Sequence, residues 1–299
     1  MNILGSGIYI PENVISNNYF TEVLGLDTSA NWIESKTGIV TRHYAENETL
    51  LEMAYHAARK AIDEAQVNSI DMVILATSTP DTPIPSTATF LTEKLGIKCP
   101  AFDLNNACSG YIYALDIATK YLNEYKNILV VGADISTRVT NFRDRLTSIF
   151  FADGAGAIVL GDSDKKMSSY LMASGNHEAI STIKYGKLEM VGKSIWDFTH
   201  EVVPKTLCEL IKKAKINLSD IDWIVPHQPN AKMLQSCFEH MGFPFEKIIV
   251  NVDRYGNTIS ASIPIALNEG LHKSIKRGDI VALVGWGAGL SWGGILFEY

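Results

Sequence analysis

Three polar residues, Cys108, His227 and Asn257, are of types that together could carry out nucleophilic acyl chemistry. Cys108 lies in the segment 103–114, where an apolar run ends and a helical spacing of apolar residues begins. At the first turn of a helix, unpaired backbone N–H groups and the helix dipole favour the thiolate. We therefore expect the pKa of Cys108 to lie below its usual value of about 8.5. The same N–H groups could hold an oxyanion that forms beside the sulfur. An isolated cysteine is also a common small core residue, so the assignment depends on its partners.

His227 and Asn257 follow predicted strands in the second half of the chain. Ligands bind beyond the carboxyl ends of strands in open α/β sheets, so residues at such ends can converge although they are far apart in sequence. A single histidine at a strand end is usually structural, but three different polar types at comparable ends favour one site. There the cysteine would accept an acyl group from a thioester, and the other two side chains would donate hydrogen bonds to a second thioester carbonyl. Those bonds would stabilise the enolate formed when a carboxylated donor loses carbon dioxide.

The elements that must position these residues alternate between helices and strands. A capping box at 49–52 starts an amphipathic helix, and the apolar run 72–76 predicts a buried strand. The proline-rich segment 77–85 predicts a loop, and 127–131 predicts another strand. The glycines of 151–157 lie between apolar runs and predict a hairpin turn.

A second glycine-rich segment, 285–294, follows a predicted strand near the end of the chain. Closely spaced glycines let backbone N–H groups approach a substrate oxygen, and they also suit a tight turn between paired strands. Both interpretations can hold together. The segment does not match the dinucleotide-binding fingerprint, because no helix clearly begins after it.

The second half of the chain repeats the order of the first. Two pairs of segments align at an offset of about 150 residues, namely 61–75 with 210–225 and 103–114 with 250–265. The alignment makes Asn257 the counterpart of Cys108. We predict a duplicated α/β fold whose parallel-rich sheets are covered on both faces, with halves 1–165 and 166–299.

The composition is typical of a compact globular protein. The chain has 299 residues, of which 46% are hydrophobic, and its net charge is −7. This charge, with no basic patch, argues against a nucleic-acid partner. No signal-peptide pattern and no membrane-spanning apolar run is present, so we expect a cytoplasmic protein without a membrane partner. The four cysteines lack the paired spacing of metal ligands, which favours reduced thiols and no metal site.

Several segments, distributed along nearly the whole chain, match the sequence motifs of a known family. They are 32–42, 79–88, Ala107-Cys108-Ser109-Gly110, 152–156, His227-Gln228-Pro229-Asn230, Tyr255-Gly256-Asn257-Thr258 and the terminal Trp-Gly. In this order they resemble the ketoacyl-acyl-carrier-protein synthase III family of the thiolase superfamily. The resemblance implies a duplicated thiolase-like fold, five-layered αβαβα with two mixed sheets, and a homodimer. It also implies a ping-pong condensation of an acyl-coenzyme A primer with malonyl-acyl carrier protein, with coenzyme A thioester as substrate and no separate cofactor.

The resemblance also implies roles for individual residues. Cys108 would be the acylated nucleophile, and His227 and Asn257 would be the decarboxylation pair. The backbone N–H groups of Cys108 and Ala288 would form the oxyanion hole that holds the acyl-cysteine carbonyl.

Further matches concern substrate binding. Trp32 and Arg145 fall where family members sandwich the adenine of coenzyme A. Asn230 matches a position that orders water near the active site. Lys36 stands where arginine is usual, so a bidentate phosphate contact becomes a point charge.

Two departures from the family affect the acyl pocket and the carrier protein. Ile84 occupies a loop position where many members carry phenylalanine, and in the family that loop reaches across the dimer to cap the partner's acyl pocket. Lys232 is one lysine where relatives offer several basic residues to the acidic carrier protein, which should weaken that attraction.

Other functions stay open at this point. The acyl group on Cys108 could pass to an alcohol, an amine or another acceptor without carbon–carbon bond formation, in specialised metabolism. The chain could also be a non-catalytic partner subunit of a heterodimeric synthase. A papain-like protease also needs a cysteine and a histidine, but the duplicated frame disfavours it.

Overall fold

Two β-sheets, each built from one half of the chain, lie at the centre of the computed structural model, which describes residues 1–162, 167–175, 182–184 and 186–299. In chain order the strands are β1 (Asn2–Tyr9), β2 (Val14–Ser16), β3 (Thr41–His43), β4 (Met72–Ala76), β5 (Ala101–Leu104), β6 (Asn127–Ile135), β7 (Asp153–Gly161), β8 (Met167–Ala173), β9 (Thr182–Lys184), β10 (Lys187–Glu189), β11 (Trp223–Pro226), β12 (Ile280–Gly287) and β13 (Ser291–Glu298). The helices are α1 (Asn18–Glu22), α2 (Ala30–Thr37), α3 (Leu50–Ala65), α4 (Thr87–Leu95), α5 (Gly110–Tyr121), α6 (Arg145–Ser148), α7 (Gly192–Ala214), α8 (Ala231–His240), α9 (Val252–Tyr255) and α10 (Ser262–Lys273).

The two sheets share one strand order, which confirms the predicted duplication. The first sheet has the order β1-β7-β6-β4-β5, and the second has the order β8-β13-β12-β11. In the first sheet β4 is parallel to both β6 and β5, and in the second sheet β11 is parallel to β12. The next pairs along, β6 with β7 and β12 with β13, are antiparallel. Both sheets are therefore mixed, as the family resemblance implies. The predicted boundary between residues 165 and 166 lies outside the described residues and stays a prediction.

Helices cover both faces of each sheet and create five layers. The central layer contains α5 and α10, whose apolar side chains pack between the two sheets in one continuous core. Helices α3 and α4 cover the outer face of the first sheet, and α7 and α8 cover the outer face of the second. The order of the layers is αβαβα, so the predicted fold class is confirmed.

Local sequence explains the start of α3. Thr49 accepts a hydrogen bond from the backbone N–H of Glu52, while the Glu52 carboxylate accepts one from the backbone N–H of Thr49. This capping box satisfies two N–H groups that a helix start would otherwise leave unpaired. The helix then buries one face, including Met53 and Ala57, against the first sheet.

The predicted hairpin turn at 151–157 is wrong. Residues from Asp153 onward form the central strand β7, which pairs antiparallel with both β1 and β6. The glycines serve close packing rather than a turn, since an ideal Cβ at Gly156 would lie 2.8 Å from Pro264 Cβ of α10. A central strand of this kind needs glycine wherever a helix backbone approaches it.

Each half contributes a turn that packs against the central strand of the other half. A short 3-10 helix, Ala107–Ser109, precedes α5, and an ideal Cβ at Gly287 of β12 would lie 2.8 Å from Cys108 Cβ. A second 3-10 helix, Ile259–Ala261, precedes α10, and an ideal Cβ at Gly132 of β6 would lie 2.6 Å from the Ser260 carbonyl oxygen. We call these two segments the exchanged turns.

The exchanged turns correct the predicted counterpart of Cys108. Cys108 lies two residues before the start of α5, as Ser260 lies two residues before the start of α10. The preceding residues, Ala107 and Ile259, both have a left-handed backbone, with φ of 46° and 53°. Ser260 is therefore the structural counterpart of Cys108, and Asn257 lies three residues earlier in its turn.

Within the described residues, no helix is both long enough and apolar enough to cross a membrane.

Candidate active site

A cavity of about 320 Å³ lies where the exchanged turns meet, and Cys108, His227 and Asn257 all line it. Its wall includes the loop residue Ser78 and the strand-end residue Ala288, so both halves of the chain contribute. Most of the lining surface is apolar. The three residues that sequence analysis selected therefore converge on one largely dry site.

Cys108 is presented by the sharp turn between β5 and α5. The positive φ of Ala107 directs the chain into the 3-10 helix, which leaves the half-buried thiol at the cavity wall. Burial raises the pKa of Cys108 to about 12, and the negative charge of Asp134 adds to this rise. The expected low pKa is therefore wrong, because burial and the charge of Asp134 outweigh the lowering effect of the backbone N–H group.

His227 follows β11, and its ring is held on two sides. Its Nδ1 atom lies 2.7 Å from Oγ of Ser262, the first residue of α10. Its ring meets that of Trp286 edge to face, with 5.5 Å between the centroids. Burial lowers the pKa of His227 to about 3, so the imidazole is neutral at physiological pH.

Asn257 is fixed through its backbone and its side-chain carbonyl. Its N–H donates to the carbonyl of Phe150 at 2.8 Å, and its own carbonyl accepts from the N–H of Ala152 at 2.9 Å. Its Oδ1 accepts from the N–H of Ile259 at 3.0 Å. The Nδ2 group is then the part of this side chain that can donate a hydrogen bond in the cavity.

The end of β12 lies directly against the nucleophile. An ideal Cβ at Gly287 would lie 3.1 Å from the backbone nitrogen of Cys108 and 3.2 Å from its sulfur. Only a residue without a side chain allows this approach. Ala288 comes next and also lines the cavity. The predicted turn between paired strands is confirmed, because Gly287 of β12 pairs with Ser291 of β13, and the oxyanion role of this segment stays a prediction.

Sequence analysis missed Asp134, a buried carboxylate that is hydrogen-bonded to the cavity-lining residues Ser78 and Thr79. Asp134 is 0% exposed and accepts hydrogen bonds from the Ser78 N–H at 2.8 Å, the Thr79 hydroxyl at 2.9 Å and the Ser260 N–H at 3.0 Å. The Ser260 hydroxyl also donates to it. Burial raises the pKa of Asp134, against the effect of these bonds. The hydrogen bonds of Asp134 thus connect Ser78 and Thr79, in a loop of the first half, to Ser260, in the exchanged turn of the second half.

The two residues predicted to contact adenine, Trp32 of α2 and Arg145 of α6, lie outside the cavity lining. The guanidinium carbon of Arg145 lies 4.8 Å from the Trp32 ring centroid, so these two side chains are stacked on each other. Arg145 also donates a hydrogen bond to the carbonyl of Asp27. Since the two side chains contact each other directly, a planar group stacks between them only if they separate, and the adenine sandwich stays a prediction.

Lys36, Asn230 and Lys232 lie together at the mouth of the cavity. Asn230 caps α8, because its Oδ1 accepts from the N–H groups of Lys232 at 2.8 Å and of Met233 at 3.1 Å. Its Nδ2 donates to the Lys36 carbonyl at 3.3 Å. Both lysines are exposed. This capping role for Asn230 was not foreseen, and it leaves the water-ordering role a prediction.

Ile84 does not reach the cavity of its own chain. Its side chain is 86% exposed, so the predicted contact with an acyl pocket depends on a second chain. Within one chain, the apolar surface beside Cys108 is formed instead by Phe151, Leu188 and Ile259. Sequence analysis missed these three, since no local pattern separates them from ordinary core residues.

No group of three or more His, Cys, Asp or Glu side chains within the described residues could hold a metal ion.

Two family models match this chain. The description 3-oxoacyl-[acyl-carrier-protein (ACP)] synthase III matches residues 102–176, and the C-terminal part of that family matches residues 211–299. Together the matched segments contain Cys108, His227 and Asn257.

Full-length relatives show the same similarity. The chain is 41% identical over 317 residues to the beta-ketoacyl-[acyl-carrier-protein] synthase III of Neisseria gonorrhoeae, covering 99% of this chain and 98% of the relative. It is 40% identical over 311 residues to the protein of that name from Staphylococcus saprophyticus, covering 100% and 99%. The crystal structure of 3-oxoacyl-[acyl-carrier-protein] synthase III from Aquifex aeolicus VF5 superposes with a TM-score of 0.96 at 37% identity, covering 99% of each chain.

Proposed function

Because this chain belongs to the 3-oxoacyl-[acyl-carrier-protein] synthase III family, we propose that it condenses an acyl-coenzyme A primer with malonyl-acyl carrier protein to give a β-ketoacyl product in fatty-acid biosynthesis. The observation that carries this proposal is the convergence of Cys108, His227 and Asn257 on one apolar cavity. A thiol suits acyl transfer, and two neutral donors suit stabilisation of an enolate oxygen.

In the first half-reaction, Cys108 takes the acyl group. Its sulfur attacks the thioester carbonyl of the primer, and the oxyanion that forms accepts hydrogen bonds from the backbone N–H groups of Cys108 and Ala288. The bond to the coenzyme A sulfur then breaks. The proton lost by the cysteine ends on the coenzyme A thiol, so the step consumes no further reactant.

In the second half-reaction, His227 and Asn257 bind the thioester carbonyl of the malonyl group. The bond to the carboxylate carbon breaks, carbon dioxide leaves, and the electron pair forms an enolate whose oxygen accepts the two hydrogen bonds. The enolate carbon attacks the acyl-Cys108 carbonyl. Cys108 then leaves as a thiolate and regains a proton. The buried, neutral state of His227 suits donation to this oxygen without adding a charge.

The cavity mouth supplies contacts for the substrates. Trp32 and Arg145 form a stacking surface for the adenine of coenzyme A, and Lys36 supplies a charge for its phosphates. Exposed Lys232 offers one cation to an acidic carrier protein. No separate cofactor enters either half-reaction.

We also propose that the enzyme is a homodimer. Strand β5 is the edge of the first sheet in the described part of the chain, and it leads directly to Cys108. Exposed apolar side chains of Ile84 and Phe90 lie in the segment that precedes it. A second copy of the chain would cover this edge and bring Ile84 to the partner's cavity. Light scattering should give twice the mass of one chain.

The test of the reaction separates the two half-reactions by intact-protein mass. Wild type, Cys108→Ala and the control Cys208→Ala are incubated with a panel of acyl-coenzyme A thioesters, then with malonyl-acyl carrier protein. Cys208 is the exposed thiol, so it controls for non-specific acylation. We expect wild type and Cys208→Ala to gain one acyl group and to release it as a β-ketoacyl product, and Cys108→Ala to gain none.

Other outcomes would assign a different function. Acyl loading without turnover by malonyl-acyl carrier protein, but with transfer to an alcohol or amine, would identify an acyltransferase. No loading on wild type across the panel would indicate a non-catalytic subunit.

A further inference from the structure

We propose that Ser262 is a positioning residue that fixes His227 in the tautomer with the proton on Nε2, so that this ring donates a hydrogen bond into the cavity. The tautomer is assigned from the contacts of the buried Ser262 hydroxyl. Its effect on condensation rests on the proposed function.

The Ser262 hydroxyl has two contacts among the described residues. Its oxygen lies 2.7 Å from Nδ1 of His227 and accepts a hydrogen bond from the backbone N–H of Gln228 at 3.4 Å. Ser262 and His227 are each 2% exposed, so their contact is shielded from bulk solvent.

The hydrogen atoms can be assigned by counting donors and acceptors. The Gln228 N–H can only donate, so it uses one lone pair of the hydroxyl oxygen. If Nδ1 of His227 also donated, the Ser262 hydroxyl proton would have no acceptor among these contacts. A buried donor without a partner is strongly unfavourable. If Nδ1 accepts instead, all three groups are satisfied, and the ring proton lies on Nε2.

The tautomer matters because the imidazole is neutral. Burial lowers the pKa of His227 to about 3, so the ring carries only one N–H. With the proton on Nε2 the ring donates to a carbonyl oxygen and acts with the Nδ2 group of Asn257. With the proton on Nδ1 it would present a lone pair to the same oxygen, which is repulsive.

The ring itself is held in place by packing that does not select a tautomer. The indole of Trp286 lies edge to face with the imidazole, and its Nε1–H donates to the Thr199 hydroxyl at 2.8 Å. These contacts hold the plane of the ring, whereas the hydroxyl of Ser262 is the polar group that faces Nδ1. Orientation and protonation are thus set by different neighbours.

The test compares Ser262→Ala and Ser262→Thr with wild type. Ser168→Ala is the matched control, because it removes a buried serine hydroxyl that donates to the Leu210 carbonyl at 3.1 Å, outside the cavity lining. Long-range ¹⁵N–¹H spectra of ¹⁵N-histidine protein report the tautomer directly. The His227 signals are identified by their loss in His227→Gln.

We expect wild type, Ser262→Thr and Ser168→Ala to show the Nε2–H tautomer, and Ser262→Ala to show a mixture or the other form. Acyl loading of Cys108 should stay within about threefold in Ser262→Ala, while kcat for condensation should fall at least about tenfold with little change in KM. The threonine variant should recover most of that loss. A selective effect on the second half-reaction is not expected from a general loss of stability.

Two results would overturn the proposal. One is an Nδ1–H tautomer in wild type, which is decisive even if Ser262→Ala does not fold. The other is an unchanged tautomer and condensation rate in folded Ser262→Ala. A wild type that shows Nε2–H but condenses no substrate would instead refute the proposed function and leave the assignment of the tautomer supported.

Discussion

The variant Gly287→Ala places a methyl group against the nucleophile. An ideal Cβ at Gly287 lies 2.8 Å from Cys108 Cβ, 3.1 Å from its nitrogen and 3.2 Å from its sulfur. Non-bonded carbon atoms are in contact at about 3.5–4.0 Å, so one side must move by roughly 0.5–1 Å. Gly287 is held by its pairing with Ser291, and the cysteine belongs to a turn between two packed elements. Part of the displacement therefore affects the Cys108 thiol and the Cys108 backbone N–H group.

We expect the rate of Cys108 acylation to fall about 10²-fold in Gly287→Ala, which corresponds to about 2.7 kcal/mol of transition-state free energy. The loss of one oxyanion donor has a similar cost of about 10²–10³-fold. Single-turnover acylation by acyl-coenzyme A, followed by intact mass, measures this step alone.

The matched control is Gly285→Ala on the same strand. An ideal Cβ there lies 2.8 Å from Ile112 Cγ1 and 3.1 Å from Ile263 Cδ1, which are side-chain atoms that can adjust. We expect this variant to lose about 1–3 kcal/mol of stability but to acylate within roughly threefold of wild type. Acylation of Gly287→Ala at a near wild-type rate, or an equal loss in both variants, would refute the reasoning.

Three further outcomes can be checked separately. Since burial raises the pKa of Cys108 to about 12, its rate of alkylation by iodoacetamide, followed by peptide mass, should rise about tenfold per unit between about pH 7 and 10. Trp32→Ala should raise KM for acyl-coenzyme A about tenfold in steady-state assays with kcat retained, through the loss of stacking. Burial would raise the pKa of Glu269, but its hydrogen bonds and ion pair with Arg254 lower this pKa from 4.5 to about 2. The stability that the ionised Glu269 contributes is therefore present above about pH 5 and is lost as pH falls to about 2. Glu269→Gln should therefore cost at most about 3 kcal/mol in urea unfolding at neutral pH, and the difference from wild type should disappear near pH 2.

Local signals in the sequence predicted the elements well. The capping box of Thr49 and Glu52 and the strand Met72–Ala76 are where the pattern places them, because both depend on short-range spacing. The convergence of Cys108 and His227 was predicted because each follows a strand. The two strands, β5 and β11, belong to different sheets, so the packing of the two halves brings these residues together.

Properties that depend on tertiary contacts could not be predicted in this way. The raised pKa of Cys108 comes from burial and from Asp134, which is distant in sequence. Ser260, rather than Asn257, is the counterpart of Cys108. The alignment of apolar runs missed this, because it does not show which residues have a left-handed backbone. The Ser262 contact joins residues 35 positions apart, and a serine at a helix start gives no sign of its partner.

The exchanged turns have a consequence for the newly made chain. While only the first half has left the ribosome, Cys108 is present, but the strand that ends at Gly287 is still unmade. The thiol then lacks the backbone of Gly287 and the side chains of His227 and Asn257, which complete the cavity around it. A truncated or partly folded chain therefore presents Cys108 without the rest of the proposed site. Activity is therefore expected only after both halves of the chain have been synthesised and have packed together.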